Sequence, residues 1–524
     1  MSTPVDEIDN LQQLKQDYVK VCKENESLQT RLHEIQQQLD WFQRQLFGRK
    51  SEKRTEVDSA RQADLFKKLN LEPLPKPDEP TEEITYTRRK KLRGQDDVTD
   101  SGLRFDDSVP VEVITLTADG IDGLSPDEYE IIGEKVTHRL AQRPGSQVVL
   151  KYVRPVAKLK KDETIHTAPM PESVLEKSTA DVSVLAGLLV DKFVYHLPLY
   201  RQHQRLINNG ITLSRTTLTN WVARCIDLLG PIVDAQMVNV LLSRVLAMDE
   251  TPIKAGRKHK GKMRQAYIWP VYGDADEVVF RYTSSRAHKN VEVILGDSFS
   301  GTIVSDGYKA YEKFAEKTAG VTQAQCWAHS RRYFERALDA DSAAEEALTI
   351  IGELYKHENI AKEKNLQGED KLNYRTKHMA PIVDAFWTWC DQQCQRNDLV
   401  PSDKLTKALN YVMARQAELQ VFLADPDVPL DTNHLERELR VIPMGRKAWL
   451  FAWTEIGAER IAIIQSLMVT CKLHGVNPYE YLVDVLQRIS QHPAKLVHEL
   501  TPRIWKTKFG DNPLRSDLDR ITRQ

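Results

Sequence analysis

The spacing of apolar side chains changes repeatedly along the chain, and each change predicts a different element. Near the N-terminus, Leu11, Tyr18, Asn25, Leu32, Leu39 and Leu46 recur every seven residues, and Leu14, Val21, Leu28, Ile35 and Phe42 follow in step three residues later. Two seams at this spacing are the a and d positions of a coiled coil. The pattern predicts a dimerisation helix over residues 8–48, held through Leu14, Leu28, Leu32, Ile35 and Leu39. Asn25 falls on the a seam. Buried there, it pairs best with its own copy, which favours a parallel homodimer in one register and leaves higher assembly open.

Residues 49–95 read as a basic, Pro-rich linker: NLEPLPKPDEPTEE (70–83) is rich in proline and acid, and RRKKLR (88–93) supplies cations suited to phosphate contact. Between 96 and 165 the pattern becomes that of strands. VEVITL (111–116), YEIIGEKVTHRL (129–140) and QVVLKYVRPVAKL (147–159), with a turn at Pro144-Gly145, predict a small β-rich module. Helical spacing begins at 181. LPLYRQHQRLINNG stops at Asn209-Gly210, and ITLSRTTLTNWVARCIDLL restarts behind Ser214 as N-cap, so 181–235 reads as a helix-turn-helix. Its second helix would present Arg215, Thr216, Thr219 and Asn220 to DNA phosphates and base edges. An ordinary helical hairpin has the same spacing.

From 243 the chain again reads as strands. SRVLAMDET (243–251) ends in Asp249; QAYIWPVYGD and EVVFRYTSSR follow, then a helical HKNVEVILGD, then GTIVSDGYKAY (301–311) with Asp306. Strand, strand, strand, helix, strand is the order of an RNase H-like domain, which sets two carboxylates side by side. Two Mg²⁺ ions about 3.5–4 Å apart can activate an oxygen nucleophile and stabilise the leaving oxygen of a phosphodiester. Mg²⁺, for which Mn²⁺ can substitute, takes oxygen ligands. The third carboxylate is expected from a helix later in the chain, and Glu436 in 431–453 is the candidate. Arg437, Arg440, Arg446 and Lys447 follow it and suit DNA phosphates, although an ordinary salt-bridged helix looks alike, and Glu438 is a rival on the same helix. A basic loop, GRKHKGKMR (256–264) with Lys258 and Lys260, follows Asp249, and CWAHSRRYF (326–334) adds His329, Arg331 and Arg332 as further phosphate contacts.

Composition narrows the choice. The 524 residues carry a formal net charge of −2, so any nucleic-acid role rests on local patches. The six cysteines form no C-x-x-C pair, which argues against a disulfide framework or a zinc ribbon, and Cys390 and Cys394 read as buried packing. The start is polar and acidic and no apolar run suits a membrane helix, so no membrane partner is expected and the location is read as cytoplasmic, at the bacterial nucleoid.

QLFGRKSEKR (45–54), HLPLYRQ (196–202), LSRTTLTNWV (213–222), MDET (248–251), SDGY (305–308), CWAHSRRYF (326–334), NHLERELR (433–440) and GRKAWLF (445–451) occur in an order that resembles the insertion sequence 66 family of transposases. The resemblance implies an acidic triad of Asp249, Asp306 and Glu436 that binds two Mg²⁺. It implies an α/β RNase H-like catalytic core (243–334 and 431–475) interrupted by a large helical insertion (335–430), with C-terminal helices over 476–524. The implied partners are double-stranded DNA, at element ends and target, a second copy of the chain, and accessory proteins. The implied activity is metal-dependent cleavage at insertion-sequence ends and strand transfer into target DNA. One departure is that 96–165 holds no cysteine where relatives carry a zinc module. The alternatives are a catalytically silent DNA-binding relic, another RNase H-fold nuclease such as a junction resolvase, and a coiled-coil scaffold without a nucleic-acid role.

Overall fold

The computed structural model describes residues 104–521, apart from 106–108, 117–124, 126–127, 144–145, 162 and 260. The predicted coiled-coil residues Leu14, Asn25, Leu28, Leu32, Ile35 and Leu39, the linker, the 88–93 basic run, the Pro144-Gly145 turn and Lys260 lie outside the described residues.

A short β1 (Arg104–Phe105) precedes a four-stranded sheet of β2 (Val111–Thr115), β3 (Tyr129–Arg143), β4 (Ser146–Leu159) and β5 (Ile165–Thr167). Long β4 is its spine: β3 runs antiparallel along one edge, and parallel β2 and antiparallel β5 follow each other along the other. Alternation along β4 explains the packing. Val148, Leu150 and Tyr152 share one small cluster with Leu518, whereas Val149 joins the main core.

The main core begins at α1 (Val182–Phe193), an almost wholly apolar helix capped by the Asp181 carboxylate, which accepts from Ser183 N at 2.9 Å. Next, α2 (Leu199–Asn208) ends at Asn209-Gly210, where Gly210 takes the left-handed φ of 79° that stops a helix. Then β6 (Ile211–Thr212) pairs with β1, and Ser214 Oγ caps α3 (Arg215–Leu241) by accepting from Thr217 N at 3.0 Å. The sequence predicts a short second helix here; α3 instead has 27 residues and carries Pro231 inside it. Proline removes one ladder hydrogen bond, but buried side chains from Leu218 to Val240 hold the helix to the core on both sides of it.

The central sheet contains β7 (Val245–Met248), β8 (Thr251–His259), β9 (Lys262–Tyr272), β10 (Val278–Thr283), β11 (Gly301–Ser305) and β12 (Val321–Gln325), with α4 (Lys289–Leu295) and α5 (Lys309–Lys317) as the crossovers to β11 and β12. The strand order is β10-β9-β7-β11-β12, and β8 folds back on β9. Pairing is antiparallel from β10 to β7 and parallel from β7 to β12. All four residues of β7 are buried, as expected of a strand covered on both faces. The basic segment 256–264 is therefore not a loop, as its charge suggested, but the tip of the β8–β9 hairpin.

Helices α6 (Trp327–Ala337), α7 (Ala343–Glu363), α8 (Gly368–His378), α9 (Ala380–Cys394), α10 (Lys404–Met413) and α11 (Gln416–Ala424) follow β12. They enclose a second core around Trp327, Phe334, Phe386 and Trp389. Cys390 is buried in it, but Cys394, expected to be buried, is exposed. Fully buried Arg375 is bonded to Glu358 and to the carbonyls of Phe422, Asp425 and Val428. The stretch 431–453, read above as one helix, breaks at Arg440 into α12 (Asn433–Leu439) and α13 (Val441–Trp449).

Then come α14 (Glu455–Leu473), α15 (Pro478–Arg488), a 3-10 turn (Ala494–Leu500), α16 (Pro502–Lys508) and α17 (Asp517–Ile521). An edge strand presents unpaired backbone groups, and α14 satisfies those of β10. Ser466 Oγ accepts from Phe280 N at 2.9 Å, and Thr470 Oγ1 from Val278 N at 3.3 Å, while Gln236 Nε2 of α3 donates to Val278 O at 2.8 Å. Among the described residues, no helix is long and apolar enough to cross a membrane.

Candidate functional site

The parallel pairing of β7 with β11 sets the site. Ala247 lies opposite Val304, so Asp249 and Asp306, each two residues further on, leave neighbouring strands at the same end. Open sheets with parallel strands place their ligand crevices at such carboxyl ends. Asp249, Glu250 and Asp306 each offer a carboxylate oxygen, and these oxygens lie within 4.8 Å of one another. Burial, and then the charges of Asp306 and Glu250, push the Asp249 carboxyl up to about 7, and Glu436 adds to the effect. A half-buried group of like charges is costly unless a cation joins it.

Local backbone holds the two aspartates. Asp249 Oδ1 accepts from Glu250 N at 2.7 Å, and Asp306 Oδ1 accepts from Tyr308 N at 2.9 Å. Gly307 between them has a φ of 82°, and a Cβ there would lie 2.4 Å from Arg415 Nε and 2.6 Å from Gln325 Nε2. Only glycine fits that approach. The Arg415 guanidinium donates to Gly307 O at 3.2 Å, and the Tyr411 hydroxyl donates to Asp306 O at 2.6 Å while accepting from Gln325 Nε2 at 2.9 Å. Tyr411 also stacks on Tyr333, with ring centroids 4.1 Å apart. Residues on and beside the helices that follow β12 therefore reach back and brace the loop that carries Asp306.

Glu436, in the first turn of α12, meets α6 rather than the basic residues that follow it in sequence. Arg332 Nη2 donates to its Oε2, and His329 Nε2 lies 3.5 Å from its Oε1. Burial lowers the His329 pKa, opposed by the charges of Glu436 and Asp306. The rival Glu438 is turned into the core and receives Lys472 Nζ at 2.9 Å.

The other predicted residues are dispersed. Arg331 pairs with Glu335 at 3.2 Å. Arg437, Arg440 and Lys447 are exposed on α12 and α13, while Arg446 donates to Pro252 O beside the start of β8. Lys258 stands exposed on the hairpin. On α3, Arg215, Thr216, Thr219 and Asn220 are all exposed.

Sequence reasoning missed Glu250 and its partners. Neighbouring residues of a strand point to opposite faces, so an acid next to Asp249 reads as turned away. The chain leaves the sheet between β7 and β8, however, and both side chains reach the crevice. Arg286 Nε donates to Glu250 Oε1 at 2.6 Å and the buried Tyr311 hydroxyl to Oε2 at 2.8 Å. The guanidinium of Arg286 also lies over the Tyr308 ring, 3.9 Å from its centroid. The MDET run carried the signal for Glu250; nothing in the spacing pointed to Arg286.

Comparison with known proteins covers most of this architecture. Residues 466–503 match the IS66 C-terminal element, and 34–114 match a segment described as transposase C of IS166 homeodomain. Uncharacterized protein y4hP of Sinorhizobium fredii is 30% identical over 403 residues, which is 72% of this chain and 71% of that protein. Uncharacterized protein y4jD of the same organism is 29% identical over 393 residues, 72% of this chain and 76% of that one. The central sheet, the inserted helices and the site residues just described all fall within 177–460, the span that matches the family described as Transposase IS66 family. With that match over more than half its length, the chain belongs to the IS66 family of transposases.

Proposed function

We propose that the chain is a DNA transposase that cleaves phosphodiester bonds at insertion-sequence ends and joins the freed 3′ ends to target DNA, using Asp249, Asp306 and Glu436 around divalent metal ions. The carrying observation is the group of Asp249, Glu250 and Asp306 carboxylate oxygens within 4.8 Å at the ends of β7 and β11. Glu436 is not part of that group, and its place in the triad rests on the family resemblance and on its charge acting on Asp249. The donor set fits the group: it offers oxygens alone, which suits Mg²⁺ or Mn²⁺ and not a soft metal. The raised pKa of Asp249 also fits, since a cation would relieve the repulsion behind it. The strand order, with its antiparallel half and parallel half, supports the RNase H-like reading of the core.

Asp249 and Asp306 would hold both ions, and Glu436 would complete one site. The ions would supply charge stabilisation and a more acidic nucleophile, water first and a DNA 3′ hydroxyl afterwards. The protein's own share is placement. Tyr411 and Arg415 fix the Asp306 loop from outside, Arg332 fixes Glu436 while its other guanidinium nitrogen meets His329 Nε2 at 3.2 Å, and Arg286 fixes Glu250. Exposed cations on the hairpin and on α12 and α13, together with Arg331, would take DNA phosphates. The exposed face of α3 and the homeodomain-described segment 34–114 would supply further DNA contact. Such work places the protein in the cytoplasm at the nucleoid, as a homodimer or larger assembly through the N-terminal seam, with accessory proteins as further partners.

The test uses purified full-length chain, Mg²⁺, and a plasmid carrying the two DNA borders of its own gene. The proposal expects nicks at the borders and joined products. Asp249→Asn, Asp306→Asn and Glu436→Gln should each slow nicking by roughly 1000-fold or more, about 4 kcal/mol of barrier, with DNA binding retained. Normal cutting by one of these variants would remove that residue from the triad. Cleavage of branched DNA without regard to the borders would point to a resolvase instead.

A further inference from the structure

Apolar side chains stand in solvent among cations where the chain returns from α13 to the central sheet. Helix α13 ends at Leu450, whose φ of 66° lies in the left-handed region. That residue turns the chain sharply, and the next segment runs along the free edge of β8. Ala452 N donates to Lys254 O at 2.8 Å, and Gly256 N donates to Ala452 O at 3.2 Å. These bonds seat the segment on a strand, a rigid base for a recognition surface. Leu450 is 56% exposed and Trp453 66% exposed. The Phe451 ring meets Trp453 edge-on, with centroids 5.0 Å apart, and steadies the indole. Three large apolar side chains exposed within seven residues, Leu450, Trp453 and Ile456 at 57%, with the aromatic held in place, mark a surface for a partner.

The surroundings indicate which partner. Lys254, Arg257, Lys258 and Lys262 are exposed along the β8–β9 hairpin, and Lys447 is exposed on the last turn of α13. The acids nearby are Glu455, occupied by Arg264 at 3.2 Å, and Glu459 one turn further along α14. A second copy of the same patch would set these cations against themselves, a repulsive arrangement; a polyanion would not. Lys254 follows Asp249 by five residues, so at roughly 3.3 Å per extended residue the two lie at most about 16 Å apart, within about five base steps.

We propose that Trp453, flanked by Leu450, is a stacking platform for an unpaired nucleobase of DNA whose phosphates lie on the cationic β8–β9 hairpin. This rests on the reading of the chain as a DNA-cleaving transposase. Every base has an aromatic face, so the platform requires an extruded or unpaired base but no particular sequence. The exposure of the tryptophan beside the cations is what assigns it this role.

The test measures binding by the full-length chain, in EDTA so that nothing is cut, to two labelled duplexes that differ by one unpaired base. Wild type should bind the duplex with the unpaired base more tightly. Trp453→Ala should weaken that binding about 5- to 100-fold, the range for losing one stacked base, and leave the fully paired duplex unaffected. Trp453→Phe should keep most of the preference, and Lys258→Ala should weaken both duplexes alike. Because Trp453 is exposed, thermal melting of the variants should match wild type. Equal losses on both duplexes, or no loss on either, would overturn the platform while leaving DNA binding in place. Dissociation of the oligomer by Trp453→Ala would make the patch a contact between copies and would also overturn it. A wild-type chain that binds neither duplex would instead overturn the DNA-enzyme reading on which the platform depends.

Discussion

At the scale of the residue, Asp249 concentrates the physics of the site. Its carboxyl rises from an ordinary 3.8 to about 7 because it is buried beside Asp306 and Glu250. A raised acid binds its proton more tightly folded than unfolded, so the metal-free protein should lose stability as pH climbs from about 4 to about 7 and lose no more above that. Asp249→Asn removes the effect, by at most about 4 kcal/mol, and should raise the melting temperature at pH 8 in EDTA. A melting curve for this variant that falls at or below wild type would contradict the assignment. Glu436 and Glu438 show how far a single residue can be read from sequence. Both sit on one helix two positions apart, so they face different directions; spacing distinguishes them but cannot say which direction is inward. The structure sends Glu438 to Lys472 and Glu436 to Arg332. The cation that touches Glu436 comes from a helix more than a hundred positions earlier in the chain, which is why its local basic run was misleading.

At the scale of the element, the strands ending in Asp249 and Asp306 were legible because buried β-branched runs bounded by turn residues have few other uses. The β8–β9 hairpin was not. Its lysines and arginines read as loop because charge hides an alternation that only one face obeys, with Ile253 and Ala255 inward and Lys254 outward. The length of α3 was missed as well, since buried side chains on both sides of Pro231 carry the helix through to Leu241. The brace from α10 was invisible, as a hydroxyl on a distant helix leaves no local pattern. Tyr411→Phe tests it: losing the hydroxyl that reaches Asp306 O should cut Mg²⁺ affinity roughly three- to tenfold, about 1 kcal/mol, with the fold intact by circular dichroism. The inserted helices carry their own buried ion pair. Burial alone would raise the Glu358 pKa, but hydrogen bonds and charge from Arg375, aided by Lys371, hold it below the usual range. The pair's contribution is therefore present above about pH 4.5 and is lost as pH falls through the lower folded value. Arg375→Met leaves Glu358 with Lys371 alone and takes a donor from the carbonyls of Phe422, Asp425 and Val428, and should cost about 3–5 kcal/mol in urea unfolding. Replacing both partners by apolar residues should cost less.

At the scale of the whole molecule, a chain of net charge −2 must bind DNA through patches, and the cations do cluster on the hairpin and on α12 and α13. Binding should therefore fall steeply and linearly in log-log form as salt rises, through counterion release; flat salt dependence would argue for a scaffold. The heptad seam around Asn25 predicts that removing residues 8–48 lowers the oligomeric state in sedimentation, and an unchanged state would place the contact elsewhere. Among the described residues, the succession of strands and helices follows the changes in periodicity, whereas the way the helices after β12 reach back to the sheet depended on contacts far apart in sequence. The central claim is that acids from β7 and β11 hold a divalent cation. Electron paramagnetic resonance of Mn²⁺ titrated into the full-length chain tests it without DNA or turnover. Wild type should bind Mn²⁺, and Asp249→Asn and Asp306→Asn should each weaken it by roughly a hundredfold or more, close to 3 kcal/mol. Wild-type Mn²⁺ affinity in both variants would contradict the account.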